Sequence, residues 1–365
     1  MSPIETSADT TADAPSDTPS DAATATERLV ESEIAESAGW RAFADRHRDA
    51  ASTGAALLIF VAMLVYGQVQ YGGIFQYSTL SNLFINNAHL VLIAVGLTFV
   101  ILTGGIDLSV GAVIACSSVA GVMLTNAGLN AWLALAAMVL IGAAMGTLSG
   151  VLIEYFDMQP FIATLAVMFL ARGLASTLST ESERLDPDSP ARSVGTIHKL
   201  IDGPKVNDLG WTWGLVIAVV VVLAGLFLLH RTLFGRTVYG VGGSEQSAHL
   251  MGLPVRRTKV LVYVISGTLA GLAAVVYTTR TGNAQSITGI GWELDAIASV
   301  VIGGTLLTGG SGFLLGSVIG ALVLGLMTVL ITRDGGIRPE MTTIITGGIL
   351  LVFVLLQRAI KGRRA

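Results

Sequence analysis

Long runs without a charged residue restrict the fold of this sequence more than any other feature. Fifty-seven residues separate Asp49 from Asp107, and 46 separate Asp107 from Glu154, with no Asp, Glu, Lys or Arg among them. A helix rises about 1.5 Å per residue, so about 20 apolar residues cross the hydrocarbon of a bilayer. Each of these runs is long enough for two or more spans, and four further runs follow before Arg358. The sequence therefore predicts a protein that crosses a membrane many times.

The spans are predicted to be helices, because backbone groups in lipid must be hydrogen-bonded within their own segment or in a closed barrel. The runs are apolar throughout and lack the period-2 alternation of barrel strands. Glycine-rich turns and charged residues divide them into about ten transmembrane helices of an all-α polytopic membrane protein, with half-helices as the alternative where glycine breaks a span. The predicted spans are residues 52–71, 84–103, 108–125, 131–153, 160–179, 211–230, 260–279, 294–307, 312–332 and 341–358.

Composition excludes several classes of protein. Only 13% of the residues are charged and 52% are hydrophobic, whereas a soluble domain carries about 25% charged residues. The single cysteine, Cys116, excludes a disulfide framework and a thiolate metal site. The histidines are scattered, without metal-ligand spacing or a Ser-His-Asp arrangement, and there is no basic footprint for nucleic acid. We therefore predict no catalytic residues, no cofactor, no metal and no nucleic-acid partner.

The first 50 residues differ from the rest in composition. Residues 1–27 contain six acidic residues and no Lys or Arg, and the first forty are rich in Ala, Thr, Ser, Asp and Pro. Such a segment cannot bury a core, so 1–50 is predicted to be a disordered acidic tail with a short pre-membrane segment. No basic stretch precedes an apolar run there, so no secretory signal is expected. The transmembrane domain is predicted to occupy residues 51–361.

The distribution of Lys and Arg predicts the orientation, since cytoplasmic loops carry an excess of both. With the N-terminus inside and ten spans, thirteen of these residues lie inside, seven lie outside and Arg172 falls within a span. Both termini and the loop 231–259 are therefore expected in the cytoplasm, and the loop 180–210 in the periplasm. Trp292, just before a span, is expected to be an interfacial anchor. Arg172 is expected to pair with Asp107 or Asp295, or to extend to the outer face.

A short motif recurs around two glycine pairs. The segment 102–105 (LTGG) returns as 307–310, and Gly111 returns as Gly316 at the same offset. This register predicts an internal repeat of two spans with a glycine break, with chance similarity in a chain rich in Gly, Val, Ile and Leu as the alternative. Transporters often place substrate sites where paired, Gly-interrupted helices meet. The candidate pathway or gate residues are Thr103, Gly104, Gly105, Asp107, Asp295, Thr308, Gly309 and Gly310.

Two alternatives apply to each acidic residue of that set. A charge at the centre of a membrane costs about 2.5–3.5 kcal/mol on insertion scales, so it normally faces a cavity or a partner. Asp107 and Asp295 would then lie at the pathway or gate. Alternatively, Asp107 caps the helix that follows it and Asp295 compensates the dipole of a helix first turn. Asn86, Asn87 and His89 add uncharged polar groups at membrane depth, for which helix packing is the alternative.

The loop 231–259 has the features of a docking element. Ser244 is placed to cap a short helix, Glu245 suits its first turn, Gly252 fits the position after its end, and Pro254 prevents continuation. A structured connector between two spans is the alternative. No Lys follows a Gly anywhere in the chain, so there is no Walker A site and ATP hydrolysis would need another subunit.

Several segments resemble the permease subunits of bacterial ATP-binding-cassette (ABC) sugar importers of the ribose type. They are TLFGRTVYGVGG and SAHLMGLPVRRTKVLVYVISG around the loop 231–259, ILTGGIDLSVGAVIA (101–115), FIATLAVMFLARGL (161–174) and GIGWELDAIASVVIGGTLLTGG (289–310). STESERLDPDSP (179–190) resembles the galactofuranose-type importers. The resemblance implies two ABC ATPase domains in the cytoplasm, a second permease of the same or a related chain, and a periplasmic sugar-binding protein.

The resemblance also implies how the chain works. Residues 244–253 would be the coupling helix, seated in a groove of the ATPase, whose closure tilts the attached spans. The candidate ATPase-coupling residues are Arg236, Ser244, Glu245, Leu250, Met251, Gly252 and Arg256. The chain is then expected to be the permease that imports a ribose- or galactofuranose-like monosaccharide across the inner membrane, and not itself an enzyme. The alternative is an ion-coupled secondary transporter of a small polar solute, which has no need of an ATPase-docking helix.

Overall fold

The apolar runs fold as helices that pack around one another. The structure is a computed structural model and describes residues 48–186, 212–335 and 341–362. Within these ranges it contains twelve helices and one pair of two-residue strands. In chain order they are α1 (Arg48–Tyr71), α2 (Tyr77–Leu102), α3 (Val110–Asn126), α4 (Ala131–Tyr155), α5 (Pro160–Leu178), β1 (Glu183–Arg184), α6 (Trp213–Arg231), α7 (Leu233–Gly243), α8 (Glu245–Leu250), α9 (Val255–Thr281), β2 (Asn283–Ala284), α10 (Trp292–Ile302), α11 (Leu314–Asp334) and α12 (Met341–Gly362).

Seven of the described helices are long and apolar enough to cross a membrane, namely α1, α2, α4, α5, α6, α9 and α11. The expected count of ten spans is therefore not confirmed. Two of the predicted spans correspond to shorter helices, α3 with 17 residues and α10 with 11 residues. A glycine turn shortens each of these helices, with Gly104 before α3 and Gly304 after α10. Their φ values are +79° and +92°, in the left-handed region that interrupts a helix.

Small residues let the central helices approach closely. The helices α4 and α9 meet through Gly142 and Gly146 on one side and Gly267 and Gly271 on the other. A Cβ added at Gly142 would collide with the Gly267 carbonyl oxygen and would lie 2.8 Å from the Cα atom of Gly271. Close backbone contact increases van der Waals attraction, which drives helix association in lipid, where the hydrophobic effect between helices is absent.

The helices differ in how deeply they are buried. Of the membrane-spanning window of α2, 83% is buried inside the protein, whereas the figure for α1 is 11%. Helix α2 is therefore central, and α1 presents most of its apolar surface to the exterior. This central position brings the end of α2 into contact with elements from the rest of the chain.

The two ends of the helix bundle are formed by different elements. At one end, called here the junction end, the chain after α2 and the chain after α10 meet α7. At the other, called the strand-pair end, β1 pairs antiparallel with β2, and the Asn126 Nδ2 donates to the Arg184 carbonyl oxygen at 2.8 Å. The predicted loop 180–210 begins at this strand pair. Residues 187–210 of that segment, and the predicted tail up to residue 47, lie outside the described residues.

Candidate transport site and coupling segment

The segment between α6 and α9 forms two helices rather than one short helix in a loop. Thr232 Oγ1 accepts a hydrogen bond from the Gly235 N–H at 3.2 Å at the start of α7, and Ser244 Oγ accepts one from the Ser247 N–H at 3.2 Å at the start of α8. The predicted cap at Ser244 is confirmed, and Gly252 follows the end of α8 with φ of +73°, as expected. Helix α7 was missed because its glycines disfavour a helix, and its close packing at the junction end is not readable from local sequence.

Helix α8 presents an apolar tip to the exterior. Ala248 is fully buried in a cluster with Val241 and Val255, which holds α8 against its neighbours. Leu250, the last residue of the same helix, and Met251, which follows it, are 85% and 68% exposed. Adjacent large apolar side chains on an otherwise polar segment are suited to contact with another protein.

Charged side chains tie α8 to α9 and α4. Lys259 Nζ donates to Glu245 Oε1 at 2.7 Å and lies 3.4 Å from Glu154 Oε2, and Arg256 Nε lies 3.7 Å from Glu154 Oε1. Glu245 and Arg256 were expected to face an ATPase, and both have partners within the chain, while Arg236 is exposed. The side chains of Glu154 and Lys259 are only 8% and 21% exposed, whereas those of Glu245 and Arg256 are 49% and 71% exposed. An exposed charge contributes only about 0–1 kcal/mol to an ion pair, so Glu245 and Arg256 are the members that stay accessible to a partner.

Three segments meet through glycine at the junction end. The Gly310 N–H donates to the Leu102 carbonyl oxygen at 2.9 Å, so the chain after α10 is hydrogen-bonded to the end of α2. A Cβ added at Gly242, in α7, would collide with both of these atoms. Residues 102–105 and 308–310 together with Gly242 are called here the glycine junction. It joins the segment that carries α8 to both predicted breaks.

Six of the eight predicted pathway residues therefore belong to the glycine junction. Gly104, Gly309 and Gly310 have φ of +79°, +80° and +76°, and a Cβ at Gly309 would lie 2.7 Å from the Gly104 nitrogen. The two copies of the motif differ in local structure, since Leu102 is the last residue of α2, whereas Leu307 lies beyond the end of α10 at Ile302. The internal repeat is accordingly not confirmed.

Asp107 is buried just beyond the glycine junction. Its Oδ1 accepts from the Ser109 N–H at 2.9 Å and from the Ser109 hydroxyl at 2.6 Å, and its Oδ2 accepts from the Ser266 hydroxyl at 2.7 Å. Helix α3 begins at Val110 with Ser109 as its formal N-cap residue, two positions later than predicted, and it is the Asp107 side chain that accepts the N–H at this start. Ser266 belongs to α9, so Asp107 links the chain between α2 and α3 to α9. Nothing in the sequence near Ser266 indicated this contact.

A cavity of about 580 Å³ lies between α2, α10, α11 and α12, on the side of the bundle away from the glycine junction. Asp295, predicted for the pathway, lines it. Trp292 also lines it and packs on His89 and Tyr277, with ring centroids 4.5 Å and 5.0 Å apart. Its role here was missed, because the neighbouring rings come from two other helices. The lining residues are Asn86, Asn87, His89, Leu90, Trp292, Asp295, Leu324, Gly325, Met327, Thr328, Val329, Thr332, Arg333 and Thr346.

Arg172 holds the loop that leads into α10. Its Nη1 donates to the carbonyl oxygens of Ser286 and Thr288, at 2.5 Å and 2.7 Å. These carbonyls are its hydrogen-bond partners, in place of the expected Asp107 or Asp295. Because the loop ends at the first residue of α10, Arg172 positions one wall of the cavity.

Replacing Arg172 with methionine should lower the free energy of unfolding by about 1–2 kcal/mol, because two hydrogen bonds from a charged donor are lost while side-chain length is kept. Thermal unfolding of the purified protein in detergent would show this as a lower midpoint. The variant Arg172→Lys keeps a charged donor, so its midpoint should fall between those of the wild type and Arg172→Met. Equal midpoints for all three would contradict the positioning role.

Comparisons with known proteins show which family the chain belongs to. A family model described as "Branched-chain amino acid transport system / permease component" matches residues 79–354. The fructose import permease protein FruG of Bifidobacterium longum is 52% identical over 309 residues, covering 84% of this chain and 91% of that protein. The inner membrane ABC transporter permease protein YjfF of Escherichia coli is 41% identical, covering 83% and 90%. The ribose import permease protein RbsC of Bacillus subtilis is also 41% identical, covering 73% and 80%.

A solved structure shares the fold. It shows an inward-facing conformation of a transporter assigned to the metal-chelate type of ABC transporter, and it matches 84% of this chain and 99% of its own chain. The TM-score is 0.50 at 17% sequence identity, so the likeness concerns the fold alone. The family model and the relatives, by contrast, match most of this sequence. The chain therefore belongs to the permease-component family of the branched-chain amino acid transport type, and it is a membrane transport subunit rather than an enzyme.

Proposed function

We propose that this chain is the transmembrane subunit of an ATP-driven importer that moves a monosaccharide across the bacterial inner membrane. Its relatives include a fructose import permease, ribose import permeases and a D-allose transport system permease. The observation that carries the proposal is the contact of α7 with both broken segments at the glycine junction. This contact gives a movement of α8 a direct route to the chain breaks between the spans. A galactofuranose-like substrate stays a prediction from residues 179–190.

ATP hydrolysis is proposed to take place in a separate subunit, since this chain has no Walker A lysine. Leu250 and Met251, at the exposed tip of α8, are the proposed contacts with an apolar groove of that subunit. Arg236 and Arg256 are the proposed partners of carboxylates at the rim of the groove. The remaining proposed partners are a second ATPase, a second permease of the same or a related chain, and a periplasmic sugar-binding protein.

The junction end is proposed to face the cytoplasm, where an ATPase can reach α8. The seven long apolar helices together with α3, α10 and α12 would make ten membrane segments, with α3 and α10 as half-helices. Ten segments would leave both termini on the same side of the membrane, which the distribution of Lys and Arg favours as the cytoplasm. The strand-pair end, with the segment 180–210, would then face the periplasm.

Reconstitution tests the proposed function. The chain, its ATPase, its partner permease and its binding protein are placed in proteoliposomes, and uptake of labelled fructose, ribose and allose is measured. Uptake should require ATP on the side of the junction end and should be unaffected by ionophores. Uptake by the chain without an ATPase, abolished by an ionophore, would instead support the ion-coupled carrier.

Replacing Gly252 with valine should lower the amount of sugar taken up per ATP hydrolysed by about threefold to tenfold. No heavy atom lies within 4 Å of a Cβ added at Gly252, so the change acts through its backbone, which has φ of +73°. A left-handed conformation costs a residue with a side chain about 1–2 kcal/mol. Relaxation of the backbone at position 252 to remove this strain would shift α8.

The matched control is Gly252→Asn, because Asn tolerates the left-handed region better than valine. The ratio of sugar uptake to phosphate release is measured for both variants, after membrane insertion has been verified. A valine variant with the wild-type ratio would remove Gly252 from the coupling role.

A further inference from the structure

The cavity between α2, α10, α11 and α12 contains groups that the coupling segment does not use. We propose that it is a binding subsite for a neutral, polyhydroxylated solute the size of a monosaccharide. The inference rests on the proposed import function and adds to it the place where the solute is held within the membrane domain. Its volume of about 580 Å³ falls within the range of roughly 300–1,000 Å³ typical of small-molecule pockets.

The cavity lies far from α8. Asn86 and Asn87 precede the end of α2 at Leu102 by 16 and 15 residues, which corresponds to about 23 Å along a helix. With the junction end in the cytoplasm, the cavity belongs to the outer half of the membrane domain. A solute that enters from the periplasm therefore meets the cavity before it meets the glycine junction.

One wall of the cavity is aromatic and held in place from two sides. Trp292 lies against His89 at an interplanar angle of 40° and meets Tyr277 edge to face at 79°. The face of an aromatic ring carries negative potential and attracts positively polarised hydrogen atoms, such as those on the C–H groups of a sugar ring. An indole fixed in this way supplies a rigid contact surface at a small cost in conformational entropy.

The other walls supply short polar groups. Asn87 Nδ2 donates to the Leu83 carbonyl oxygen at 2.7 Å, which orients the amide. Gly325 of α11 leaves room for that amide, since a Cβ there would collide with it. Asn86 adds a second amide and Asp295 a carboxylate. Amides donate and accept while a carboxylate accepts, which matches hydroxyl groups that do both.

The two charged side chains of the lining, Asp295 and Arg333, cancel in formal charge, so the cavity has no net charge to attract an ion. Arg333 donates to the Gly72 carbonyl oxygen at 2.7 Å and to Thr79 Oγ1 at 3.0 Å, so it is held against the turn after α1 and the first turn of α2. A zwitterionic amino acid would place an ammonium group beside Asp295 and a carboxylate beside Arg333, so it is the competing ligand that the test includes.

The test uses the complete transporter in proteoliposomes with saturating binding protein. Trp292→Ala should lower the maximal rate of sugar uptake about tenfold, and Asn86→Ala about threefold, with ATP hydrolysis retained. Trp292→Phe keeps a packed ring and should retain most of the uptake, which separates recognition from folding. Trp132→Ala removes an indole outside the cavity that is 52% exposed, and it should transport at the wild-type rate.

A second measurement detects binding directly. Saturation-transfer difference NMR is recorded on the complex in nanodiscs with fructose, ribose and leucine, and the sugar signals should weaken in Trp292→Ala and in Asn86→Ala. Wild-type uptake rates in both alanine variants would overturn the subsite while leaving the import function intact. Displacement of the sugar signal by leucine would overturn the assigned chemistry. No sugar uptake by the wild-type transporter would overturn the import function instead, and the NMR comparison would still decide the subsite.

Discussion

Replacing Gly242 with alanine is expected to lower sugar uptake by the assembled transporter by about 30-fold or more. The added methyl group would overlap the Leu102 carbonyl oxygen and the Gly310 nitrogen. Both are backbone atoms, so no rotamer change relieves the overlap. Overpacking costs about 1–3 kcal/mol, and separating the Gly310 N–H from Leu102 costs about 0.5–1.5 kcal/mol more. The two costs add to about 1.5–4.5 kcal/mol, and about 2 kcal/mol, near the lower end of that range, corresponds to about 30-fold.

The adjacent residue provides the matched control for this prediction. A Cβ at Gly243 has no heavy atom within 4 Å, and its φ is not in the left-handed region. Gly243→Ala should therefore transport at close to the wild-type rate. The measurement is ATP-driven uptake per molecule of assembled complex, with ATP hydrolysis recorded in parallel. Equal uptake by the two variants would show that contact at the glycine junction is not required for transport.

Replacing Asp107 with alanine is expected to lower the free energy of unfolding by about 3 kcal/mol or more. Three buried donors, the Ser109 N–H and the hydroxyls of Ser109 and Ser266, would lose their acceptor. Each buried donor left unsatisfied costs about 1–3 kcal/mol. The yield of folded protein and the thermal midpoint in detergent should both fall.

A double-mutant cycle isolates the link between Asp107 and α9. Ser266→Ala alone removes one donor, and the coupling energy between the two positions should be about 0.6–1.7 kcal/mol, as for hydrogen bonds between membrane helices. Asp107→Asn keeps an acceptor oxygen and should retain uptake along with most of the stability. An asparagine variant with normal stability and no uptake would show that the carboxylate acts in the pathway, which is one of the two alternatives that the sequence left open.

The sequence predicted the bounds of a long membrane helix well where the apolar run is bordered by a residue that starts or ends a helix. The predicted span 131–153 corresponds to Ala131–Tyr155, and 160–179 corresponds to Pro160–Leu178, with proline in the first turn. The span predicted at 260–279 is longer in the structure, Val255–Thr281. Its start is charged and was therefore assigned to the loop. In the structure this part is helical, and Lys259 and Arg256 are paired with Glu154 on α4.

By itself, the sequence determined the membrane location, the helical class, the capped helix after Ser244 and the family resemblance, because hydropathy and capping depend on residues that are neighbours in the chain. Tertiary structure alone decided which distant groups meet. Asp107 and Ser266 are 159 positions apart, and Gly242 contacts two turns from different parts of the chain. Hydropathy cannot distinguish a glycine that ends a helix from one that admits another backbone. That distinction depends on which helices pack together, and the packing placed the glycine junction at the end of α2 and the aromatic wall of the cavity against His89, in the middle of the same helix.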